Sequence, residues 1–349
     1  MTDFVINGRQ AGPGHPPYLI AELSGNHNGS LDRALAMIDA ARDAGADAVK
    51  LQTYRADTIT LDSDAPEFTI REGLWAGRRL YDLYAEASTP WEWHEALFEH
   101  ARKVDITIFS SPFDHSAVDL LEGLGAPAYK IASFELVDTP LIRRVAQTGK
   151  PLIMSTGMAD LGAIAEAVET ARAHGAQAIT LLRCVSGYPA PAADYNLATM
   201  TDMAARFGTL AGLSDHTLDD TTAIAAVALG ASVVEKHFTL ARGDGGPDAA
   251  FSLEPDEFAR LARSLKSAHS AIGTVNYAVK ASEAGNVQFR RSLYFVRDLP
   301  AGAVIGPQDV RSVRPGHGLA PRHFDAVMGR KLARAVRFAE PCRWVDFEA

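Results

Sequence analysis

The sequence predicts a (β/α)8 barrel followed by a small second domain. Eight short β-rich runs recur between residues 18 and 238, and each is followed by a segment with helical periodicity. Strands that alternate with helices are typical of parallel βαβ units. A chain of 349 residues accommodates a barrel of about 250 residues and a further small module. The predicted strands are 18–23, 48–53, 107–112, 128–133, 151–156, 178–184, 210–215 and 232–238.

The helical segments between these runs begin and end at recognisable residues. SLDRALAMIDAARDAG begins after Ser30, a favourable N-cap, and stops at Gly45, while LGAIAEAVETARAHG stops at Gly175. Eight such units ending near residue 273 fit one closed barrel better than an open doubly wound sheet. The open sheet remains the alternative at this point, because the number of strands alone does not establish closure.

Two segments depart from a minimal barrel. Residues 54–90 form a long excursion after the second strand, and long βα insertions cover the catalytic face of barrels. We therefore predict a substrate-covering loop with some helix. After Gly273 the regular alternation ends, and short β runs punctuated by Gly and Pro follow. The predicted domains are a barrel over 1–273, a linker over 274–285 and a second domain over 286–349.

The composition limits the classes of function and partner. Asp and Glu number 43 against 34 Lys and Arg, a net charge of -9, which argues against nucleic acid and anionic membranes as partners. We find no signal-peptide pattern at the N-terminus and no apolar run of about 18–20 residues that could span a membrane. Cys184 and Cys342 are too few for a disulfide framework, which is typical of a reducing compartment. These features predict a cytoplasmic protein.

Polar and charged residues concentrate at the ends of the predicted strands, where barrel enzymes build their active sites. One such residue can simply mark where the chain leaves the core. Three lysines, two histidines and several hydroxyls at one rim predict a catalytic site instead. The residues are Glu22, Lys50, Gln52, Tyr54, Lys130, Ser133, Glu135, Ser155, Thr156, Cys184, Ser186, Tyr188, Ser214, Asp215, His216, Glu235, Lys236 and His237.

His216 and His237 follow neighbouring strands and form a candidate metal site. Neutral imidazoles suit a divalent transition metal, and two of them leave coordination positions for water and substrate oxygens. A single histidine in such a place is more often a hydrogen-bonded structural residue. His27, in the turn GNHN, is a weaker candidate that a backbone hydrogen bond would also explain.

Lys50 and Lys130 lie within predicted strands, so each needs an anionic partner. Together with Ser133, Ser155 and Ser214 they would form a cradle for a phosphate and a carboxylate. This is the first of three interpretations of the lysines.

The second interpretation is structural, with internal ion pairs to Glu22, Glu135 or Asp215. The third is Schiff-base chemistry by a desolvated lysine. The histidine pair makes this last interpretation less attractive, because a metal and an imine would activate the same carbonyl.

These residues lie in motifs that resemble the nonulosonic (sialic-type) acid synthases. AELSGNHNGSL, AVKLQTY, YKIASFE, GLSDHT, VEKHF and RPGHGL match the family in order over nearly the full length. The last lies in a region that resembles the antifreeze-like (SAF) domain of the family. Within the family, LYDLYAEASTPWEWHEALFEHAR, IFSSPFD and CVSGYP look most like pseudaminic acid synthases.

The resemblance implies condensation of phosphoenolpyruvate with 2,4-diacetamido-2,4,6-trideoxy-L-altrose and water, giving pseudaminate and phosphate. N-acetylneuraminate and legionaminate synthases are the alternatives. Sialic acid synthases usually have Asn where this chain has Ser186, which weakens the N-acetylmannosamine interpretation. A non-catalytic carbohydrate-binding or ice-binding protein is a distant alternative, against which the complete set of rim residues argues.

The resemblance also implies individual roles. His216 and His237 resemble the manganese ligands of the family, with Mg2+ or Co2+ as other possible metals, and Glu22 is the expected proton-handling residue. Arg314 resembles an arginine that enters the barrel of the partner subunit, which implies a domain-exchanged homodimer. The residues expected to hold phosphoenolpyruvate are Lys50, Lys130, Ser133, Ser155, Ser186 and Ser214. Those expected to hold the sugar are Gln52, Tyr188, Asp248 and Arg314.

Overall fold

The computed structural model describes residues 4–348. The chain divides into two compact units, Met1–Gly273 and Thr274–Ala349. No helix in the described part of the chain is both long enough and apolar enough to span a membrane. The strands, in chain order, are β1 (Phe4–Ile6), β2 (Arg9–Ala11), β3 (Tyr18–Glu22), β4 (Ala48–Thr53), β5 (Thr107–Pro112), β6 (Tyr129–Ile131), β7 (Leu152–Ser155), β8 (Ile179–Cys184), β9 (Leu210–Asp215), β10 (Val233–His237), β11 (Ser292–Phe295) and β12 (Val310–Val313).

The eight strands β3 to β10 form the predicted closed barrel. Closure is made by β10, which pairs in parallel with both β9 and β3 through residues such as Val233 and Val234. The open-sheet alternative is therefore wrong. Strand β6 is shorter than predicted, because the chain leaves it after Ile131 and enters a 3-10 helix over Phe134–Val137. Ser133 consequently lies in a turn above the barrel.

Helices cover the outside of the barrel. Their first turns are capped by side chains at several places, including the predicted N-cap Ser30 and the carboxylates of Asp114 and Asp160. The helices of the chain, of which α2 and α3 belong to the excursion after β4 and α11 to the second unit, are α1 (Leu31–Asp43), α2 (Ala56–Ile59), α3 (Leu80–Ala87), α4 (His94–Lys103), α5 (His115–Gly123), α6 (Thr139–Ala146), α7 (Leu161–Ala173), α8 (Ala198–Phe207), α9 (Thr221–Ala228), α10 (Pro255–Ile272) and α11 (Phe324–Val327).

The amino-terminal end of the barrel is closed by a β-hairpin that the sequence analysis did not predict. Strands β1 and β2 pair with Phe4 opposite Ala11. Phe4 and Ile6 are buried in one apolar cluster with barrel residues that include Ile20 and Phe109. This cluster fills the bottom of the barrel, and a cavity of about 610 Å³ lies at the opposite, carboxyl-terminal end.

The excursion after β4 contains α2, a 3-10 helix over Pro66–Phe68 and α3. Ile59, Ile70 and Leu83 from this segment line the cavity at the carboxyl-terminal end of the barrel. The segment thus covers the barrel mouth, as expected of a long βα insertion.

The second unit has a small core of its own. Strands β11 and β12 pair antiparallel, with Ser292 opposite Val313. Leu293, Phe295 and Val310 from these strands are buried against Val327 of α11. A 3-10 helix over Ala281–Phe289 precedes β11, so the predicted linker is partly helical.

Candidate active site

A cavity of about 610 Å³ opens at the carboxyl-terminal end of the barrel. All residues of the first unit that were given a catalytic, metal-binding or substrate-binding role line this cavity. These are Glu22, Lys50, Gln52, Lys130, Ser133, Ser155, Ser186, Tyr188, Ser214, His216, His237 and Asp248. Arg314 belongs to the second unit, where it follows β12 and is exposed.

Successive side chains of a β-strand point to opposite sides, and this alternation along β9 and β10 determines which residues face the cavity. Ser214 and His216 point inward from the end of β9, as Glu235 and His237 do from β10. The intervening Asp215 and Lys236 point outward and form an ion pair of 2.7 Å behind the barrel wall.

The expectation that all strand-end polar residues share one rim is therefore wrong for Asp215 and Lys236. It is wrong for Thr156 also, whose hydroxyl donates to the carbonyl of Leu182 at 3.0 Å.

The two inward lysines are joined by carboxylates. Lys50 Nζ lies 2.8 Å from Glu22 Oε2 and 3.1 Å from Glu235 Oε1, and it donates to Ser111 Oγ at 3.3 Å. Lys130 Nζ lies 3.4 Å from the same Glu235 oxygen. The ion-pair interpretation thus holds for Glu22. Glu235, which was predicted at this rim without a role of its own, connects both lysines.

Burial and pairing shift the pKa values of this cluster in different directions. Burial raises the pKa of Glu22, although Lys50 opposes the effect. Burial would also raise the pKa of Glu235, but the charges of Lys130 and Lys50 outweigh this effect, and its pKa is lowered. Burial alone would lower the pKa of Lys50, yet its two carboxylates raise it. The pKa of Lys130 is lowered by burial, which Glu235 offsets only in part.

Two hydroxyl groups without partners line the same cavity as the lysines. Ser155 Oγ and Ser186 Oγ are buried and form no hydrogen bond within the described residues. Ser133 Oγ accepts from the backbone N–H of Gly157 at 3.2 Å. A Cβ atom at Gly157 would collide with the hydroxyls of Ser133 and Ser186, so the glycine leaves this recess open. Because buried polar groups are normally paired, the free hydroxyls indicate a place for ligand oxygens.

His216 and His237 stand side by side, with ring centroids 5.3 Å apart. His216 Nδ1 lies 2.8 Å from the carbonyl oxygen of Val185, so Nδ1 carries the proton and Nε2 keeps its lone pair. His237 Nδ1 is buried without a partner, and burial lowers the pKa of His237 well below its usual value.

Burial alone would lower the pKa of His216, but a hydrogen bond with Cys184 outweighs it and raises the pKa. Two imidazoles that release their protons on binding fit a divalent metal. Among residues 4–348 no group of three His, Cys, Asp or Glu side chains is placed to hold one. Such a metal would therefore keep positions open for water and substrate oxygens.

His27 lies outside the cavity wall. Its Nδ1 accepts from the backbone N–H of Gly29 at 3.1 Å, and its ring packs edge-on against Trp93. The backbone hydrogen bond suggested for this histidine is therefore present.

Aromatic side chains surround the imidazole pair. The ring of Tyr188 lies 4.5 Å from that of His216, and Phe251 lies 4.9 Å from His237. Trp75, from the excursion, donates to the carbonyl of Pro247 at 2.9 Å and faces Tyr188. No sequence signal assigns Trp75 or Phe251 to the site. Glu235 was predicted at the rim, and it shares an inward face with His237.

The fold and the cavity together define a (β/α)8-barrel protein with two buried lysines and two glutamates beside an imidazole pair. The NeuB family model matches residues 37–277, and the SAF domain model matches residues 290–348. The chain belongs to the NeuB family.

Individual relatives agree with this assignment. A pseudaminic acid synthase of Helicobacter pylori is 41% identical, over 95% of this chain and 98% of that protein. An N,N'-diacetyllegionaminic acid synthase of Legionella pneumophila is 34% identical, over 99% and 98%. The crystal structure of an N-acetylneuraminic acid synthetase from Leptospira borgpetersenii, in complex with citrate, has a TM-score of 0.73 and 30% identity, and covers 82% of this chain and 95% of its own.

Proposed function

We propose that the chain is a pseudaminic acid synthase, which condenses phosphoenolpyruvate with 2,4-diacetamido-2,4,6-trideoxy-L-altrose and water to give pseudaminate and phosphate. One observation carries the proposal: the paired lysines, the free hydroxyls and the two imidazoles share one cavity. Cations and hydroxyls suit the phosphate and carboxylate of phosphoenolpyruvate. The particular sugar is supported by the Helicobacter relative, which shares more identity with this chain than the Legionella relative does.

In this reaction C3 of phosphoenolpyruvate attacks the aldehyde carbon, water adds at C2, and the C2–O bond to phosphate breaks. Lys50 and Lys130 would hold the anionic groups so that C3 faces the aldehyde. Glu22 is suited to take a proton from the water that adds at C2, because its burial raises its pKa. Gln52 donates to Glu22 Oε1 at 2.9 Å and would keep the carboxylate oriented.

We propose Mn2+ as the metal, with Mg2+ or Co2+ as weaker substitutes, held by Nε2 of His216 and a ring nitrogen of His237. A bound metal would supply a Lewis acid for the aldehyde oxygen. The carbonyl of Val185 fixes the tautomer of His216, and the packed rings of Tyr188 and Phe251 shield the imidazoles from bulk water.

The walls of the cavity support a 6-deoxy sugar. The excursion contributes apolar side chains, among them Ile59, Ile70 and Leu83, which could contact a deoxy methyl and acetamido methyl groups. A 6-hydroxyl against such a wall would lack a partner, at a cost of roughly 1–3 kcal/mol.

The assembly and the compartment belong to the same proposal. Arg314 is exposed and forms no ion pair with any other described residue, which leaves its guanidinium for a ligand. We propose that it enters the cavity of a partner subunit in a domain-exchanged homodimer. The enzyme would work in the cytoplasm, since Cys184 and Cys342 are both free thiols.

Phosphate release from phosphoenolpyruvate, measured with each sugar in turn, tests the function. We expect turnover with the diacetamido altrose sugar. With N-acetylmannosamine we expect a kcat/KM at least about tenfold lower, because its 6-hydroxyl would lack a hydrogen-bond partner against the apolar wall. Comparable efficiency with N-acetylmannosamine would favour a neuraminate synthase. Preference for the legionaminate precursor would favour that alternative, and no turnover with any of these sugars would contradict the proposed activity.

A further inference from the structure

Two loops at the barrel mouth are held together by hydrogen bonds. The first loop, residues 23–29, follows β3, and the eighth loop, residues 238–249, follows β10 and carries Asp248. Asn26 donates to the carbonyl of Phe238 at 2.9 Å, and Asn28 donates to that of Gly245 at 3.0 Å. The position of Asp248 is therefore set by the first loop.

Ser24 lies where the two loops meet the cavity wall. It is 2% exposed and has a left-handed backbone, with φ 47°. Its hydroxyl contacts the carboxylate of Asp248 and lies 3.0 Å from Gln52 Nε2. Because an amide nitrogen can only donate and an ionised carboxylate can only accept, Ser24 accepts from Gln52 and donates to Asp248. Ser24 itself is not part of the cavity lining.

This arrangement also fixes the amide of Gln52. Its Nε2 donates to Glu22 Oε1 at 2.9 Å and to Ser24, so both amide hydrogens are used. The carbonyl oxygen Oε1 is left to accept from a ligand. The Asp248 carboxylate and Gln52 Oε1 are thus hydrogen-bond acceptors on this wall. Of the two substrates, only the sugar has hydroxyl and amide N–H groups that can donate to these acceptors. Ionised phosphoenolpyruvate has acceptors alone.

We propose that Ser24 is a positioning residue for the amino sugar. Its hydroxyl orients the Asp248 carboxylate and the Gln52 amide so that both can accept hydrogen bonds from the aldose. The inference rests on the proposed function, because it assigns the role to the sugar end of that same cavity. It concerns a residue that touches neither substrate.

The first test compares Ser24→Gly and Ser24→Ala in the full-length enzyme. Both lose the hydroxyl, but glycine suits the positive φ and alanine does not. We expect KM for the sugar to rise in both by roughly tenfold or more, as for a lost hydrogen bond to a charged group, with KM for phosphoenolpyruvate unchanged. Ser24→Gly should melt above Ser24→Ala, because only the alanine adds backbone strain at the positive φ. Wild-type turnover of the aldose is measured first, since its absence refutes the proposed function itself.

A double-mutant cycle distinguishes positioning from a general packing effect. If Ser24 acts through its partners, Ser24→Gly should change kcat/KM for the sugar much less in an Asp248→Ala background than in the wild type. Ser116→Ala is the matched control, because Ser116 donates to the Asp114 carboxylate at 2.8 Å on an exposed helix end. It should leave both KM values unchanged. Additive losses in the cycle, or equal rises in both KM values for Ser24→Gly, would overturn the proposal.

Discussion

At the scale of single residues, two buried lysines that look alike in the sequence have pKa values shifted in opposite directions. Lys50 lies between two carboxylates, which raise its pKa, and it is held as a cation. Lys130 has one carboxylate at 3.4 Å, and burial lowers its pKa. A lowered pKa is also what a Schiff-base lysine needs. Lys130 is therefore the residue on which the electrostatic and covalent interpretations differ.

We predict that Lys130 holds the phosphate electrostatically. Lys130→Ala should raise KM for phosphoenolpyruvate by about tenfold to a hundredfold, because a charge-assisted hydrogen bond contributes roughly 1.5–3 kcal/mol. Borohydride added to the wild-type enzyme with either substrate should leave the protein mass unchanged. A mass increase that peptide mapping assigns to Lys130, Lys50 or Lys236 would establish imine chemistry instead.

The imidazole pair gives a second prediction at this scale. Chelator-treated enzyme should be inactive and should recover with Mn2+, less fully with Mg2+ or Co2+, because the two imidazoles lose their shared ion. In equilibrium dialysis His237→Ala should lose the stoichiometric Mn2+ binding of the wild type.

The control for that experiment is His100→Ala. His100 bonds Asp39 on the outside of the barrel at 3.0 Å, so its removal should leave Mn2+ binding and turnover intact. Full activity in metal-free protein, or normal Mn2+ binding by His237→Ala, would disprove the metal site.

At the scale of elements, the barrel could be predicted because each of its strands can be recognised from a short stretch of the sequence alone. Parallel strands that are buried on both faces appear in a sequence as short apolar runs between turn residues. The bounds predicted in this way for β4, β5 and β9 agree with the structure. The side-chain alternation that directs Lys236 outward and His237 inward is also present in the sequence. The position of a residue within the strand, more than its polarity, decides whether it reaches the site.

Other elements could not be predicted because their stability comes from distant contacts. Strands β1 and β2 are three residues long, and their apolar side chains are buried only against the bottom of the assembled barrel. The same holds for the contact of Trp75 with Pro247, which joins segments that are 172 residues apart. Pairing between specific charges, such as Glu235 with both lysines, likewise depends on the closure of the barrel.

At the scale of the whole molecule, Arg314 is the one residue with a predicted catalytic or binding role that does not line the cavity of the first unit. Arg314 follows β12 in a loop that is rich in Gly and Pro, and its planar guanidinium suits a sugar oxygen or a carboxylate. If an arginine completes a site across a symmetric dimer, each active site needs the barrel of one subunit and the arginine of the other. Mixing variants tests this directly.

We predict that Arg314→Ala and His216→Ala enzymes, each with severely reduced activity, restore activity to one another when mixed. With free exchange of equal amounts, half of the dimers are heterodimers, and one of the two sites in each combines an intact barrel with an intact Arg314. The mixture should therefore reach roughly one quarter of wild-type activity. A mixture of His216→Ala with His237→Ala is the control, since both barrels lack a metal ligand and no rescue is expected. Native mass spectrometry establishes the exchange, and absence of rescue in exchanged Arg314→Ala and His216→Ala mixtures would mean that Arg314 does not act across the dimer.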